Sequence, residues 1–264
     1  MDKIIQANIN VHTKLVQDGN YQLSPHKLDE NKKKIKIILR KKIKRNNILH
    51  LDVGCGDGFI FDCTPKTWSS YGIDITEAMI NECKKNHPSI VVKKGVAEKI
   101  PFPNSHFDFV SCYSFLDHLK DTSLFYKEVY RILKPGGCFF FGLNPNSHFF
   151  NSIQLIYHTS NKKNKKFSPE DEFKKAFHNA EYYRKFGIKE IDLELCEPGR
   201  SRSNGLNPFT EILILEKLFK RPIEIKFNWI VNQNRLEKNF IKSIYDALPF
   251  SSSLFKYFDI YGQK

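Results

Sequence analysis

The stretch that decides the fold begins at Ile48 and reads ILHLDVGCGDG. Its first half, which ends at Val53, is a short apolar run that predicts a buried β-strand. Its second half contains Gly54, Gly56 and Gly58, and glycine adopts positive φ and allows a ligand to approach the backbone closely. A strand that leads into such a loop and then into a helix predicts a ligand-binding turn at a helix N-terminus.

The spacing of the glycines narrows the class of ligand. A dinucleotide fingerprint requires G-x-G-x-x-G, but the position of its third glycine is occupied by Phe59. The shorter loop, with Asp52 ahead of it, suits a ligand that carries an ammonium group and no pyrophosphate. Twenty residues after Gly54, Asp74 ends the next predicted strand, where a carboxylate can accept both ribose hydroxyls of a nucleoside. The two features together predict a site for a cationic nucleoside.

Strand-like and helix-like runs alternate around this loop, which predicts a parallel sheet built from βαβ units. The predicted strands of this part are residues 48–53, 69–75, 90–92, 107–112 and 138–143, and a helix precedes the last of them. On the flanks we predict a basic amphipathic helix at 27–45, a solvated loop at 161–166, a helix start at 168, a strand at 188–195, a mobile loop at 197–208, a helix at 210–220 and a last strand at 255–261.

The composition is that of a globular protein, with 41% hydrophobic and 27% charged residues. We find no apolar run of the roughly 18 residues that a transmembrane helix needs, and no signal-peptide pattern at the N-terminus. The six cysteines are scattered without the spacing of a zinc site. They are therefore expected to be reduced thiols, and the expected location is cytoplasmic.

The net charge of +13 is unevenly distributed. Residues 1–47 contain 12 Lys and Arg against 4 Asp and Glu, whereas residues 48–145 contain 10 against 11. The motif-bearing segment is thus neutral and the flanks are basic. Two explanations stay open, a basic surface for nucleic acid or membrane and an AT-rich coding sequence that favours lysine.

Residues 48–143 resemble the cofactor-binding half of class I S-adenosylmethionine (SAM)-dependent methyltransferases, of the methyltransferase type 11 domain that includes ubiquinone and menaquinone biosynthesis enzymes. Five ordered motifs carry the resemblance: LDVGCGDG at 51–58, GIDIT at 72–76, GVAEKIPF at 95–102, FDFV at 107–110 and LKPGG at 133–137. The resemblance implies an α/β, Rossmann-like, seven-stranded sheet flanked by helices, with an N-terminal helical cap and a C-terminal insertion. It also implies SAM as the cofactor and methyl transfer as the reaction.

By the same resemblance, the expected cofactor-binding residues are Asp52, Gly54, Cys55, Gly56, Gly58, Asp74, Ile75, Met79, Val96, Ala97, Glu98 and Cys112. One position departs from the family. Val96 stands where an aspartate usually receives the adenine amino group, so Glu98 or the backbone of Val96 and Ala97 would have to replace it. A single lost hydrogen bond of about 0.5–1.5 kcal/mol is a cost that the site could survive.

The expected catalytic residues follow the fourth strand. His118 is the candidate for a general base, because the family often has a histidine here, and Asp117 is its candidate orienting partner. Tyr21 is a weaker candidate, in a segment that could fold over the cofactor as a lid. Simple packing or capping is the alternative explanation for each of these side chains.

We expect a basic helical segment at 1–47 and a methyltransferase domain at 48–264, with an acceptor-side cover at about 197–253. The predicted acceptor is a small molecule, hydrophobic or lipid-like if the helix at 210–220 receives it, with peripheral membrane contact left open. Two alternatives remain, an RNA methyltransferase that uses the basic flanks and a non-catalytic SAM-binding module. Nucleic acid is not favoured, because the base-methylation motif expected after the fourth strand is absent at 111–114.

Overall fold

The structure, a computed structural model, describes residues 2–19, 21, 27–159, 187–201, 205–228 and 252–264. The predicted loop at 161–166 and helix start at 168 lie outside these ranges. The helices are α1 (Lys3–Gln17), α2 (Asp29–Lys42), α3 (Glu77–Asn86), α4 (Thr122–Ile132), α5 (Ser147–Thr159), α6 (Glu190–Cys196), α7 (Pro198–Ser201) and α8 (Pro208–Phe219). The strands are β1 (Leu49–Val53), β2 (Ser69–Asp74), β3 (Val91–Lys94), β4 (Phe107–Tyr113), β5 (Leu133–Pro145), β6 (Glu224–Asn228) and β7 (Tyr257–Gln263).

The seven strands form one sheet in the order β3-β2-β1-β4-β5-β7-β6. Strands β1 to β5 pair in parallel, and β7 lies antiparallel between β5 and β6. The order reverses direction at β1, because the chain moves outward to β3 and then returns to β4 on the other side. Ligands of open α/β sheets bind at the carboxyl ends of the strands next to such a reversal. The predicted Rossmann-like, seven-stranded fold class is therefore confirmed.

The core is rich in aromatic side chains. Helix α4 buries Phe125, Val129 and Ile132, the apolar face predicted from the spacing of these residues. They pack on β5, whose Phe139 and Phe141 are completely buried. The part of β5 at 138–143 consists of apolar residues and glycine because it is covered on both faces, as parallel strands normally are.

The two N-terminal helices cover the sheet in different places. Helix α2, predicted at 27–45, buries Ile35 and Leu39 in a cluster with Trp68 and Ile48. Its basic residues lie on the remaining faces. Helix α1 packs instead on α6, where Ala7 and Val11 are buried. The N-terminal segment therefore extends the core towards the carboxyl edge of the sheet.

The predicted strand at 188–195 is wrong, since this segment forms α6. Alternation of apolar and polar residues suggested a strand, but contact with α1 selects a helical face that buries Cys196 and leaves Ile191 56% exposed. The sixth strand of the sheet is instead β6. The segment 197–208, predicted as a mobile loop, contains the short helix α7, and Leu206 pairs with Asn146.

Two further predictions on the C-terminal side are confirmed. Helix α8 corresponds to the predicted helix at 210–220, and β7 to the predicted last strand. One face of α8 packs in the core through Leu215 and Phe219, while Phe209 and Leu213 are exposed. Among the described residues, none of the helices has the length and apolar character needed to cross a bilayer.

Candidate functional site

The glycine loop after β1 has the backbone geometry predicted for it. The φ angles of Gly54, Gly56 and Gly58 are +66°, +54° and +95°, a region that side-chain-bearing residues rarely occupy. All three glycines also lie against other side chains, Gly58 against His87. A Cβ atom on Gly54 would lie 2.2 Å from the ring of Phe115, and one on Gly56 would lie 2.7 Å from the hydroxyl oxygen of Tyr21. The loop requires glycine for its conformation and for close packing.

Replacing Gly54 with alanine is expected to lower the free energy of unfolding by more than the backbone strain of alanine at positive φ would by itself. Gly136 supplies the matched control, because its φ is +75° but the nearest atom to a Cβ there is 3.9 Å away. Gly136→Ala should cost about 1–2 kcal/mol from backbone strain, and Gly54→Ala about 1–3 kcal/mol more from overpacking against Phe115. Chemical denaturation measures both. Equal losses in the two variants would contradict the predicted contact.

The carboxylate of Asp74 is fixed at the end of β2 by backbone groups of the glycine loop and of its own turn. Its Oδ2 accepts a hydrogen bond from the Gly56 N–H at 3.0 Å, and its Oδ1 accepts one from the Thr76 N–H at 2.8 Å. The Thr76 hydroxyl is a third hydrogen-bond partner of the carboxylate. A carboxylate has about four acceptor positions, so about one is free and a second becomes free if the Thr76 hydroxyl turns away. Burial raises the pKa of Asp74, although these hydrogen bonds oppose the shift. The residue is thus oriented with spare acceptor capacity.

Asp52 lies in a hydrogen-bonded chain that crosses three strands. The Ser111 hydroxyl donates to Asp52 Oδ1 at 2.5 Å, and His50 Nε2 lies 2.8 Å from the same hydroxyl oxygen. The second ring nitrogen of His50 contacts Ser70 Oγ at 3.1 Å. Since the Ser111 proton goes to Asp52, His50 must donate from Nε2 to Ser111. This chain fixes the orientation of the Asp52 carboxyl at the end of β1.

Burial dominates the titration of this chain. It raises the pKa of Asp52 to about 8, with the charge of Asp74 adding to the shift and the Ser111 hydrogen bond opposing it. Burial also lowers the pKa of His50 to about 3, so its ring is neutral near pH 7. A buried carboxyl with a raised pKa ionises readily only when a positive group is placed beside it. Asp52 is therefore a candidate partner for a cation.

The residues expected to surround a nucleoside base converge on the carboxyl ends of β2 and β3. Ile75 follows β2, Met79 is buried in the first turns of α3, and Val96 follows β3. The Gly95 N–H donates to the Asp74 carbonyl at 3.0 Å and ties the two strand ends together. In this segment Ala97 is buried, and Val96 and Glu98 are half-buried.

Two buried cysteines lie at the same edge of the sheet. Cys55 in the glycine loop and Cys112 at the end of β4 are both buried. A hydrogen bond to Cys83 and burial raise the pKa of Cys55, and burial raises that of Cys112. Both thiols are therefore protonated, and their contribution is packing.

The N-terminal segment covers the glycine loop. The Tyr21 hydroxyl lies against Gly56, and the Lys27 ammonium lies 3.7 Å from the centre of the Tyr21 ring. Lys27 also forms a buried ion pair with Asp57, the residue between Gly56 and Gly58. Burial and the nearby carboxylates, that of Asp57 first, raise the pKa of Tyr21 well above its usual value. Because a phenol with a raised pKa stays protonated, Tyr21 is better suited to cover the loop than to accept a proton.

His118 and Asp117 lie in a short 3₁₀ turn after β4, Leu116–His118. His118 Nδ1 contacts Asn8 Oδ1 at 2.8 Å and the Cys196 carbonyl at 3.0 Å, and the ring of His12 lies 5.2 Å from that of His118. Burial raises the pKa of Asp117. The structure thus places the two predicted catalytic residues together, but among partners from α1 and α6 that the sequence analysis did not identify.

Several side chains of the site were not predicted. His50 and Ser111 support Asp52, Phe115 closes on Gly54, and His12 and Cys196 accompany His118. The signal for His50 was a polar residue within an apolar strand, because a buried histidine needs hydrogen-bonding partners. No sequence signal linked α1 and α6 to His118, since their contact spans more than 180 residues.

The chain is an open α/β protein in which Asp52, the glycine loop and Asp74 end neighbouring strands at one edge of the sheet. The comparisons show which proteins of this class it resembles. The profile of a protein family described as a methyltransferase domain matches residues 51–141. This segment holds the glycine loop, Asp74 and the strands β1 to β5 up to residue 141. The predicted resemblance is confirmed over this segment.

Comparison with the sequences of individual proteins also finds methyltransferases. The chain is 32% identical over 111 residues to a demethylmenaquinone methyltransferase of Chlorobaculum parvum, which covers 40% of the chain and 46% of that protein. It is 30% identical over 119 residues to a ubiquinone biosynthesis O-methyltransferase of Pseudomonas fluorescens, which covers 40% of the chain and 50% of that protein. These alignments span half or less of the relatives' lengths.

Solved structures extend the likeness in fold to almost the whole chain. A SAM-dependent methyltransferase of Thermotoga maritima superposes with a TM-score of 0.57 at 14% identity, over 97% of this chain and 99% of that one. At this identity the likeness shows the fold alone. The predicted methyltransferase domain is confirmed over residues 51–141, and this family implies SAM as the cofactor.

Proposed function

We propose that the whole chain is a SAM-dependent methyltransferase that acts on a small-molecule acceptor. The observation that carries the proposal is the convergence of Asp52, the glycine loop and Asp74 at one sheet edge. Asp74 is held by two backbone donors, and it can accept both ribose hydroxyls of a nucleoside if one of them replaces the Thr76 hydroxyl. Asp52 has a buried carboxyl that favours a cationic partner.

The residues present fit the cofactor. Met79, Ile75 and the segment from Val96 to Glu98 would enclose the adenine, and the backbone of the glycine loop would contact the methionine part. When bound, the cofactor supplies an electrophilic methyl group on a sulfonium sulfur. The side chains of this protein then have to bind it, exclude water and position the acceptor. Tyr21 and Lys27, which cover the loop, are suited to exclude water.

On the acceptor side we propose that His118 promotes loss of the acceptor's proton. The 3₁₀ turn that holds it comes after β4, whose carboxyl end lies at the same edge of the sheet as the end of β2 and Asp74. Asp117 is adjacent and buried. Deprotonation makes a hydroxyl a better nucleophile, so the roles of the two residues are consistent with O-methylation.

The relatives support a quinone-like acceptor over RNA. Those with similar sequence are named for demethylmenaquinone and ubiquinone biosynthesis, and the exposed Phe209 and Leu213 of α8 give the C-terminal side an apolar surface. The neutral charge of residues 48–145 is also unlike a phosphate-binding surface.

The proposal is tested by incubating the full chain with methyl-labelled SAM and separate quinol, phenol, amine and RNA fractions. We expect label in a small-molecule fraction, and strongest in the quinol or phenol fraction. Label in RNA alone would overturn the choice of acceptor. Binding of SAM without label in any fraction would favour the non-catalytic module.

The affinity for SAM is expected to depend on pH through Asp52. Without ligand its pKa is about 8, so below pH 8 the carboxyl is largely protonated and must lose a proton to face a cation. The affinity should therefore rise as the pH increases towards 8, by up to about tenfold per pH unit, with one proton released on binding. Calorimetry between pH 6 and 7.5 in buffers of different ionisation enthalpy measures both quantities.

Asp52→Asn is the control for this dependence, because it retains an acceptor for Ser111 but cannot ionise. The variant should bind SAM more weakly near pH 8 and should show a flat pH profile with no proton release by this group. The same slope in the variant and the natural chain would contradict the role of Asp52.

A further inference from the structure

Five side chains that can bind a cation meet beside the candidate acceptor position. They come from three elements: α1, the 3₁₀ turn after β4, and the end of α6. Ligand atoms of His12, His118 and Cys196 all lie within 4.8 Å of one another, and so do those of Asp117, His118 and Glu197. The methyl-transfer proposal uses only His118 and Asp117, so the rest of this cluster has no assigned role.

The hydrogen bonds around Asn8 fix the tautomer of both histidines. The Asn8 side-chain N–H₂ donates to the carbonyls of Ile4 and Cys196, each at 3.0 Å, so its Oδ1 accepts from His118 Nδ1 at 2.8 Å. His12 Nδ1 lies 2.9 Å from the Asn8 carbonyl, which can only accept. In its neutral form, each ring therefore carries its proton on Nδ1 and a lone pair on Nε2.

Nothing in the described part of the chain donates a hydrogen bond to either Nε2 atom. Binding of Nδ1–H to a carbonyl or amide oxygen is also the arrangement that usually orients metal-binding histidines. Two imidazoles bound through Nε2 to a tetrahedral zinc ion have ring centres about 5 Å apart, from Zn–N bonds of about 2.1 Å. The ring centres of His12 and His118 are 5.2 Å apart.

Asp117 supplies an independent observation. Its side chain is buried, and within the described residues its Oδ1 has no hydrogen-bond partner. A buried carboxylate oxygen without a partner is costly, and a cation beside it removes that cost. Glu197 already forms an ion pair with Arg200 at 3.5 Å. Of these two carboxylates, as far as the structure describes the chain, it is therefore Asp117 that has an oxygen without a hydrogen-bond partner.

Cys196 Sγ lies 3.7 Å from His118 Nδ1 and donates to Asn8 Oδ1 at 3.4 Å, so its side chain has to turn from these partners to reach a metal held by the Nε2 atoms. We propose that His12, His118 and Cys196 bind one Zn²⁺ ion, with Asp117 and Glu197 beside it. The mixture of imidazole and thiol ligands favours zinc over magnesium or calcium, which prefer oxygen. Binding replaces the S–H bond of Cys196 with an S–Zn bond and releases that proton to solvent. Three protein ligands leave a fourth position open for water or for a hydroxyl of the acceptor.

The zinc site goes beyond the proposed function and does not depend on it. If both hold, His118 acts on the acceptor's proton through the metal, because an oxygen bound to zinc loses its proton more easily. The two proposals fail separately, since SAM binding relies on other side chains.

The test uses the full chain, freed of metal with a chelator under reducing conditions and titrated with Co²⁺ as a spectroscopic probe and then with Zn²⁺. We expect one equivalent of Co²⁺ to bind with a thiolate-to-cobalt charge-transfer band, one equivalent of Zn²⁺ to displace it, and the melting temperature to rise. Cys196→Ser should abolish the band, and His12→Gln should weaken binding by more than about tenfold. Cys138→Ser, in β5 outside the cluster, is the matched control and should change neither.

Circular dichroism and the melting transition of the same samples show whether each variant is folded, and SAM binding is measured separately. Absence of stoichiometric Co²⁺ and Zn²⁺ binding to folded protein would overturn the zinc site, as would binding that is insensitive to both His12→Gln and Cys196→Ser. Metal binding without SAM binding would leave the zinc site standing and overturn the proposed function.

Discussion

Replacing Asp74 with alanine is expected to weaken SAM binding by about a hundredfold to ten-thousandfold. Each hydrogen bond to a charged group contributes about 1.5–3 kcal/mol, and the carboxylate is proposed to accept two from the ribose. The change also removes the acceptor for the N–H groups of Gly56 and Thr76, so the glycine loop loses its fixed position. Asp74→Asn should bind with intermediate affinity, because an amide keeps one acceptor oxygen.

Asp108→Ala is the matched control. Asp108 also accepts a backbone N–H, that of Leu49 at 3.0 Å, but it lies at the amino edge of the same sheet. Its removal should lower the free energy of unfolding, because Lys134 loses its partner, and should leave the affinity for SAM unchanged. Calorimetric titration compares the variants. A similar loss of affinity in both would show that the effect reflects general destabilisation.

His118→Gln is expected to lower kcat by about 10²–10⁴ while leaving the affinity for SAM nearly unchanged. This range is typical for loss of a group that moves a proton in the transition state. Glutamine retains an N–H that can donate to Asn8 but has no ring nitrogen for the acceptor's proton or a metal. The measurement compares single-turnover rates with the binding constant for SAM on the same preparations.

His106→Gln serves as its control, because His106 stacks on Phe102 at the amino edge of the sheet and is remote from the site. Its kcat should match that of the natural chain. If His118→Gln loses SAM affinity to the same extent as it loses turnover, the residue supports the cofactor site and does not act on the acceptor.

The cofactor half of the fold could be predicted because local and global signals agree there. Positive φ at Gly54, Gly56 and Gly58 was predicted by residue type, and the position of Asp74 followed from strand periodicity. In a parallel sheet the carboxyl ends of β1 and β2 lie at one edge. Gly54 and Asp74, which are twenty positions apart in the chain, therefore lie near each other.

The acceptor side could not be predicted to the same extent. The apolar and polar residues of α6 alternate like a strand, and only tertiary contact with α1 decides in favour of the helix. The same contact brings His12 and Cys196 to His118. Such long-range pairing leaves no periodic pattern in the sequence, so the cluster around His118 becomes visible only in the folded chain.

The most direct test of the account is calorimetric titration of the full chain with SAM and, separately, with its demethylated product. The account predicts that both bind at one site per chain, that the affinity for SAM increases from pH 6 to 7.5, and that Asp74→Ala abolishes most of the binding. If neither compound binds to the folded chain, the Asp52 and Asp74 edge is not a cofactor site and the proposed function is wrong.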